Sequence, residues 1–494
     1  MNEPDLQAQL AEFRADRPMR ALLDAPSHPT LRLVSFLYVI AGLSHLWLAD
    51  AWQWSWLPGN TLFLMGLITL LWRPNALGWL LCALGKALPL LFARDHLTQS
   101  LILLLIASYG VLFIAAHAYL QVGAQKMRQF ATPMGPLTAP MAAFFDAIRW
   151  LIIITYLAAA FHKLNSDFFH PDRSCALYGL EGLVEHFGLT LPASCAAWTT
   201  SLAIAVIAVE ASIALLYLVR RHRLAIFLAI LFHLPLTLTV APAFALVMLA
   251  GHAAFLTPDD IDAATRWIRA RWIPLILTTL GATTALLIAG DLPFGDWTMV
   301  PRIALMIAMA IVLLAIGLWH TSPRRVCPDQ ATPRWPRRLV LILSLAFAVH
   351  CLSPYTGLRY QHTAAMVSNL RIDDPCWNHL LMPRSLRLHD PYIRIDRAYF
   401  VDPGHLERYE DKATSQLWNG PMLHQMRKNW CPDSLRPFYI EGTFKGRHFQ
   451  IDDLCADDLL WPFDDAGVFG VEIFKDHLRF QRNLDRRCDQ RCIH

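Results

Sequence analysis

From residue 31 to residue 353 the chain is a succession of apolar runs separated by short polar turns. Inside hydrocarbon a backbone has to satisfy its own hydrogen bonds, and a single run does so only as a helix. A span takes about 20 mostly apolar residues, with about 17 tolerated. On that measure spans fall near 31–49, 56–72, 75–93, 98–120, 143–163, 198–219, 224–240, 242–256, 272–290, 301–320 and 338–353. The two runs around Pro235 and Pro242 are short, and read either as two spans or as one broken helix. Composition agrees with a membrane chain: 55% of the 494 residues are hydrophobic and 17% charged, beyond soluble averages. A net charge of only +4 gives no reason to expect a nucleic-acid partner. The expected fold is therefore mostly α, a polytopic transmembrane helical bundle of about 9–11 spans carrying a small β-rich C-terminal domain.

Residues 1–30 form a polar, mildly amphipathic tail without the basic head, apolar core and small-residue cleavage site of a signal peptide. The first run is expected to be an uncleaved span with a cytoplasmic N-terminus. Basic residues set orientation. Lys126 and Arg128, "RRHR" at 220–223, "RWIRAR" at 266–271 and "RRVCPDQATPRWPRR" at 324–338 fall on one side if residues 224–256 make a hairpin. That side is expected to be cytoplasmic. The bundle, 31–355, then leaves residues 356–494 outside, an extracytoplasmic domain on a bacterial inner membrane.

That C-terminal part has a different texture. "PYIRIDRAYF", "RPFYIEGTFKGRHFQID" and "GVFGVEIFKDHLRFQ" alternate apolar and polar residues, as half-buried strands do. The second is expected to be a hairpin turning at Lys445-Gly446-Arg447, and "LERYEDKATSQLWNGPMLHQMRKNW" to be helical, interrupted by Gly420-Pro421. Seven cysteines (Cys175, Cys195, Cys376, Cys431, Cys455, Cys488 and Cys492) fall on the expected outer side, where disulfides persist. Their pairing is not legible. Cys488-x3-Cys492-x-His494 is expected to be disulfide chemistry, and no metal site is expected.

Ionisable residues deep in spans are expensive and mark candidate sites. Glu210 lies ten residues before Arg220 and His233 ten after Arg223. At 1.5 Å per residue, both sit about 15 Å from one basic turn, so they share a depth and either form a packing pair or handle protons. Lys86 is expected to snorkel to the lipid surface, and His117 to be a satisfied core histidine. Lys163 ends the fifth run. It is either a cationic anchor, with Asp167 at i+4 as partner, or a base. Tyr156, Ala160 and Lys163 share one helical stripe, where a small residue beneath an amine suits a flat ligand. An unperturbed lysine titrates near 10.4, and burial lowers that value enough to make a base.

"YLAAAFHKLNSDFFHPDRSCALYGLEGLVEH" at 156–186 resembles the signature of the horizontally transferred transmembrane (HTTM) family, which includes the vitamin K-dependent γ-glutamyl carboxylases. The span ending in Glu210, the "RRHR" turn and Phe232-His233 are similar to a second family motif. Met366-Val367-Ser368-Asn369-Leu370 and Asn378-His379, within "LSPYTGLRYQHTAAMVSNLRIDDPCWNHLLMP", are similar to a third. Two positions depart from the pattern: His162 stands where the carboxylases have a first lysine, and Phe168 stands at a tryptophan. The resemblance implies a membrane enzyme using reduced vitamin K or menaquinone with O2 and CO2. It implies Lys163 as the base that deprotonates the quinol, with His233, Glu210 and His117 as further catalytic groups. Tyr156, Ala160, His162, Asn369 and His379 would line the cofactor. The implied partners are the lipid bilayer and a secreted glutamate-containing peptide. The alternative is a non-catalytic membrane protein for maturation or export of such a peptide.

Overall fold

The computed structural model describes residues 28–48, 57–92, 98–127, 139–185, 187–192, 197–238, 242–289, 334–357, 363–388, 390, 392–400, 407–420, 438–456 and 484–492, with isolated positions at 23, 303–311, 422–431 and 463. They fall into two compact units. The first comprises Met1–Leu157, Gly179–Pro192 and Ala208–Ala348, the second Ala158–Tyr178, Ala193–Ile207 and Val349–His494.

The first unit is helical. Among the described residues of the whole chain, five helices are long and apolar enough to cross a membrane: 29–46, 100–120, 139–162, 199–218 and 336–356. The pair 244–255 and 258–271, bent by 115°, makes a sixth if taken as one broken span. Shorter apolar helices cover 57–72, 76–88, 222–236 and 273–286. The segments around Pro235 and Pro242 are two helices, His222–Leu238 and Pro242–His252, that pack on each other. Most of the run expected at 301–320, the loop at 291–300 and Arg128 lie outside the described residues.

Local chemistry explains the boundaries. The helix Leu57–Trp72 stops before Pro74, whose ring disfavours helical backbone in the residue ahead of it. Asn75 starts the next helix by accepting from the Gly78 amide at 2.9 Å. At Thr257 the hydroxyl accepts from the Asp260 amide at 3.2 Å while the Asp260 carboxylate accepts from the Thr257 amide at 3.0 Å, a reciprocal cap.

Helices 57–72 and 76–92 approach backbone to backbone. A Cβ added at Gly85 would stand 2.4 Å from the Phe63 nitrogen, and one at Gly66 would stand 2.6 Å from the Cys82 nitrogen. Small residues permit such contact, and in lipid, packing of this kind replaces the hydrophobic drive. Lys86 lies in this interface, 1% exposed, its Nζ 4.9 Å from the centre of the Phe63 ring. The expected snorkelling is overturned: the close helix pair turns its side chain inward.

The second unit carries a five-stranded antiparallel sheet ordered β4-β3-β1-β2-β5, with β1 Tyr392–Phe400, β2 Gln416–Asn419, β3 Phe438–Phe444, β4 Arg447–Ile451 and β5 Leu484–Asp485. Lys445 and Gly446, at φ 52° and 74°, make the two-residue turn between β3 and β4, the twist that suits a tight hairpin. One face buries Ile393, Ile395, Trp418, Phe438 and Ile440. The stretch expected to be helical from residue 406 forms the helix Glu407–Ser415, and helical residues recur at 420, 422–423 and 426–427. Residues 416–419 become a strand because Leu417 and Trp418 pair with β1 and bury there, and such pairing outweighs local propensity. Residues 467–481 and Cys195 lie outside the described residues. Among the described residues the disulfides are Cys175–Cys492, Cys376–Cys488 and Cys431–Cys455. The first of these helps explain why 158–178 belongs with the C-terminal part.

Replacing Gly85 by Val is expected to destabilise the protein by about 1–3 kcal/mol or more, read as a lower thermal midpoint in detergent. Gly281, where an added Cβ meets nothing within 4 Å, is expected to accept Ala with no loss and up to about 1 kcal/mol of gain. Equal behaviour of the two variants would contradict the close helix contact.

Candidate functional site

The expected site residues divide between the units. Tyr156, Glu210, His233 and His117 belong to the first, and Ala160, His162, Lys163, Asn369 and His379 to the second.

In the second unit the helix Ala139–His162 ends and the chain turns sharply. The Leu164 amide donates to the Phe161 carbonyl at 3.0 Å and the Asn165 amide to the Lys163 carbonyl at 2.9 Å. Asn165 organises this turn. Its Nδ2 donates to the carbonyls of His162 at 2.8 Å and Ser368 at 2.6 Å, and its Oδ1 accepts from the Phe168 amide at 2.9 Å. Asn378 locks the same turn from the far segment, donating to Asp167 Oδ2 at 2.9 Å and to the Asn369 carbonyl at 2.7 Å. Asp167 also pairs with Arg173 at 3.0 Å. Asn369 braces Cys175 and Arg173 through its side-chain amide, accepting at 2.6 Å and donating at 2.8 Å.

Lys163 sits inside this frame, 4% exposed, with Nζ donating to the Ala159 carbonyl at 3.3 Å. Ala160 is buried one turn back. Next to Lys163, the His162 Nε2–H donates to the Thr363 carbonyl at 3.1 Å, which leaves Nδ1 to accept from the Tyr355 hydroxyl at 2.8 Å. His379 is also fixed. Its Nε2–H donates to the Phe161 carbonyl at 3.0 Å while Nδ1 accepts from the amides of Leu381 and Met382 at 3.2 and 3.0 Å. The rings of Phe161 and Tyr355 each lie 4.8 Å from His379.

In the first unit Tyr156 and His233 meet, with 2.7 Å between the hydroxyl and Nε2. The same hydroxyl lies 3.1 Å from His252 Nε2, and His252 Nδ1 lies 2.6 Å from the Tyr217 hydroxyl. All four side chains are buried. Glu210, buried too, is within electrostatic reach of Tyr156. His117 is brought instead to the neighbourhood of His28.

Sequence reasoning missed His252, Tyr217, Asn165, Tyr355 and the pair Arg371–Asp373. That pair is fully buried and bidentate, at 2.8 and 2.7 Å, and Arg371 also donates to the carbonyls of Arg487 and Asp485. The charges in "NLRIDDP" were the available signal for it. His252 and Tyr217 offered none beyond being polar in apolar runs. Among the described residues no group of three or more His, Cys, Asp or Glu is placed to hold a metal ion.

No protein-family model, curated protein or solved structure matches this chain.

Burial lowers the pKa of His379 below its ordinary 6.5, against the raising effect of its bond to Phe161. An added proton at Nδ1 would face two amide donors. As pH falls through 6.5 the unfolded chain takes up a proton that the folded ring refuses, so folded stability declines. The thermal midpoint is expected to fall between pH 7.5 and pH 5.5, and His379→Gln to flatten that slope. A steeper slope in the variant would contradict this account.

Proposed function

We propose that this chain is an integral membrane enzyme of the horizontally transferred transmembrane type, similar to the vitamin K-dependent γ-glutamyl carboxylases. The observation that carries the reading is Lys163: an amine at the end of an apolar helix, shut away from water and held by a backbone carbonyl. An anchor at the lipid surface would reach for headgroups and water. A base for a greasy phenolic ligand needs this kind of seclusion, because water competes for both the amine and the carbanion that a carboxylation passes through.

The same unit holds side chains that suit a flat aromatic ligand. Phe161, Tyr355, Trp377 and His379 form one aromatic group, with ring centres 4.8–6.4 Å apart, and Ala160 adds little bulk. When bound, reduced vitamin K or menaquinone supplies the electrons that reduce O2, and CO2 is the co-substrate if a glutamate side chain is carboxylated. The chain's own part is to hold and move a proton at Lys163 Nζ, to keep His162 and His379 in single tautomers, and to exclude water.

Orientation follows from charge and redox. Three disulfides in the second unit fit an extracytoplasmic location for it, and the basic turn at 220–223 fits the cytoplasmic side. With the shorter apolar helices also crossing, the number of spans enters the range of about 9–11. A secreted peptide bearing glutamates is the substrate this arrangement would meet.

The test is purified protein in lipid nanodiscs with reduced menaquinone or vitamin K, O2 and a glutamate-rich peptide. Mass spectrometry follows both the quinone and the peptide. Quinone epoxide is expected, and Lys163→Met is expected to cut its formation by at least about 100-fold with an unchanged thermal midpoint. Full turnover in that variant would defeat the reading. Peptide binding that ignores quinol, without any turnover, would favour the non-catalytic role in peptide maturation or export.

A further inference from the structure

The first unit contains an open cleft of about 490 Å³, lined among others by Asp146, Arg149, Tyr217, Arg220, His222 and Arg337. Tyr217 is also the first member of the buried line that runs through His252 and Tyr156 to His233, with steps of 2.6, 3.1 and 2.7 Å. We propose that Tyr217, His252, Tyr156 and His233 are a proton conduit between this cleft and the buried imidazole of His233.

The donor inventory supports this. Each neutral imidazole has one donor and one acceptor nitrogen, and each tyrosine hydroxyl both donates and accepts. The line therefore has two self-consistent arrangements. In one, Tyr217 donates to His252 Nδ1, His252 Nε2–H donates to Tyr156, and Tyr156 donates to His233 Nε2. In the other, His233 Nε2–H donates to Tyr156, Tyr156 donates to His252 Nε2, and His252 Nδ1–H donates to Tyr217. The first passes to the second when one proton enters at the Tyr217 hydroxyl from the cleft, one shifts along each bond towards His233, and the proton on His233 Nδ1 leaves. The reverse passage takes a proton up at His233 Nδ1 and releases one at the Tyr217 hydroxyl into the cleft. No bond other than O–H and N–H changes, and no oxidant or reductant is needed.

The surroundings agree. Tyr156 and His252 are stacked at 12° and Tyr217 and Phe255 at 19°, so the rings are held while the protons move. Glu210, itself buried, is within electrostatic reach of Tyr156, the third member of the line. At the cleft end Arg149 is engaged by Asp146 at 2.8 Å and by the Ala254 carbonyl. The conduit stands whether or not a quinone is the substrate, since it rests on the first unit alone.

The test uses the full chain with ¹⁵N-histidine in nanodiscs, read by NMR without any substrate. In the unmodified protein the ring nitrogens are expected to show a correlated pair of tautomers: Nδ1–H on His252 together with Nε2–H on His233, or Nε2–H on His252 with a bare Nε2 on His233. Simultaneous Nε2–H on both rings would overturn the proposal, because Tyr156 would then accept twice and the line would break. Tyr217→Phe keeps the ring and removes the hydroxyl. Exchange of the His233 ring proton with water is expected to slow at least about tenfold in it, while Trp150→Phe, also at the cleft, leaves the rate unchanged. An unchanged rate in Tyr217→Phe would overturn the conduit, and so would a faster one, which is what loosened packing produces.

Discussion

A polar group shut inside an apolar interior must find its partner within the protein, and this chain buries many. An unmet partner costs about 1–3 kcal/mol for a neutral group and more for a charged one. The requirement ties together elements that are far apart in sequence. The Tyr38 hydroxyl donates to the Leu103 carbonyl at 3.0 Å, and Ser100 meets His45 at 3.1 Å. In the second unit Arg371 is held by Asp373 and by carbonyls more than a hundred residues further on. Each such bond fixes where one segment lies against another more sharply than apolar contact alone, because a hydrogen bond has a direction.

The turn after residue 162 shows how that requirement positions a buried amine. A helix leaves its last carbonyls without internal donors, and here the Asn165 side chain supplies one to His162 while also reaching Ser368. The backbone of Lys163 is thereby held from both sides, and its amine inherits a fixed starting point. Asn369 and Asn378 touch backbone and carboxylate in this frame. Such support is what keeps a reacting group within a fraction of an ångström of its working position.

Much of the architecture was legible because it depends on local pattern. Apolar runs marked the helices of the bundle, alternation marked β1 and the β3–β4 hairpin, and Lys445-Gly446 marked its turn. Glu210, His233 and Lys163 stood out because charge in an apolar run is expensive wherever the run folds. What was not legible depends on pairing at a distance. Nothing local to residues 416–419 says that β1 will recruit them as a strand. The inward turn of Lys86 depends on the glycines that bring two helices together. His252 meets Tyr156 across 96 positions and Tyr217 across 35, separations that no periodicity encodes. The shared depth inferred for Glu210 and His233 followed from helix rise, whereas the tyrosine that His233 bonds came from another helix.

The histidines divide by the kind of partner they have. His162 and His379 each face backbone groups, and a backbone group has one role: a carbonyl accepts and an amide donates. The Thr363 and Phe161 carbonyls therefore fix Nε2–H in both rings, and the amides of Leu381 and Met382 leave His379 only one protonation state without conflict. His252 faces hydroxyls on both sides, and His233 faces one. A hydroxyl reverses its role by rotation or by passing a proton, so it imposes no tautomer. The same residue type is thus made rigid in one unit and reversible in the other by a choice between amide and hydroxyl partners. Converting Tyr156 or Tyr217 to a group that only donates would turn the second kind of histidine into the first, with its ring in place and its proton immobile.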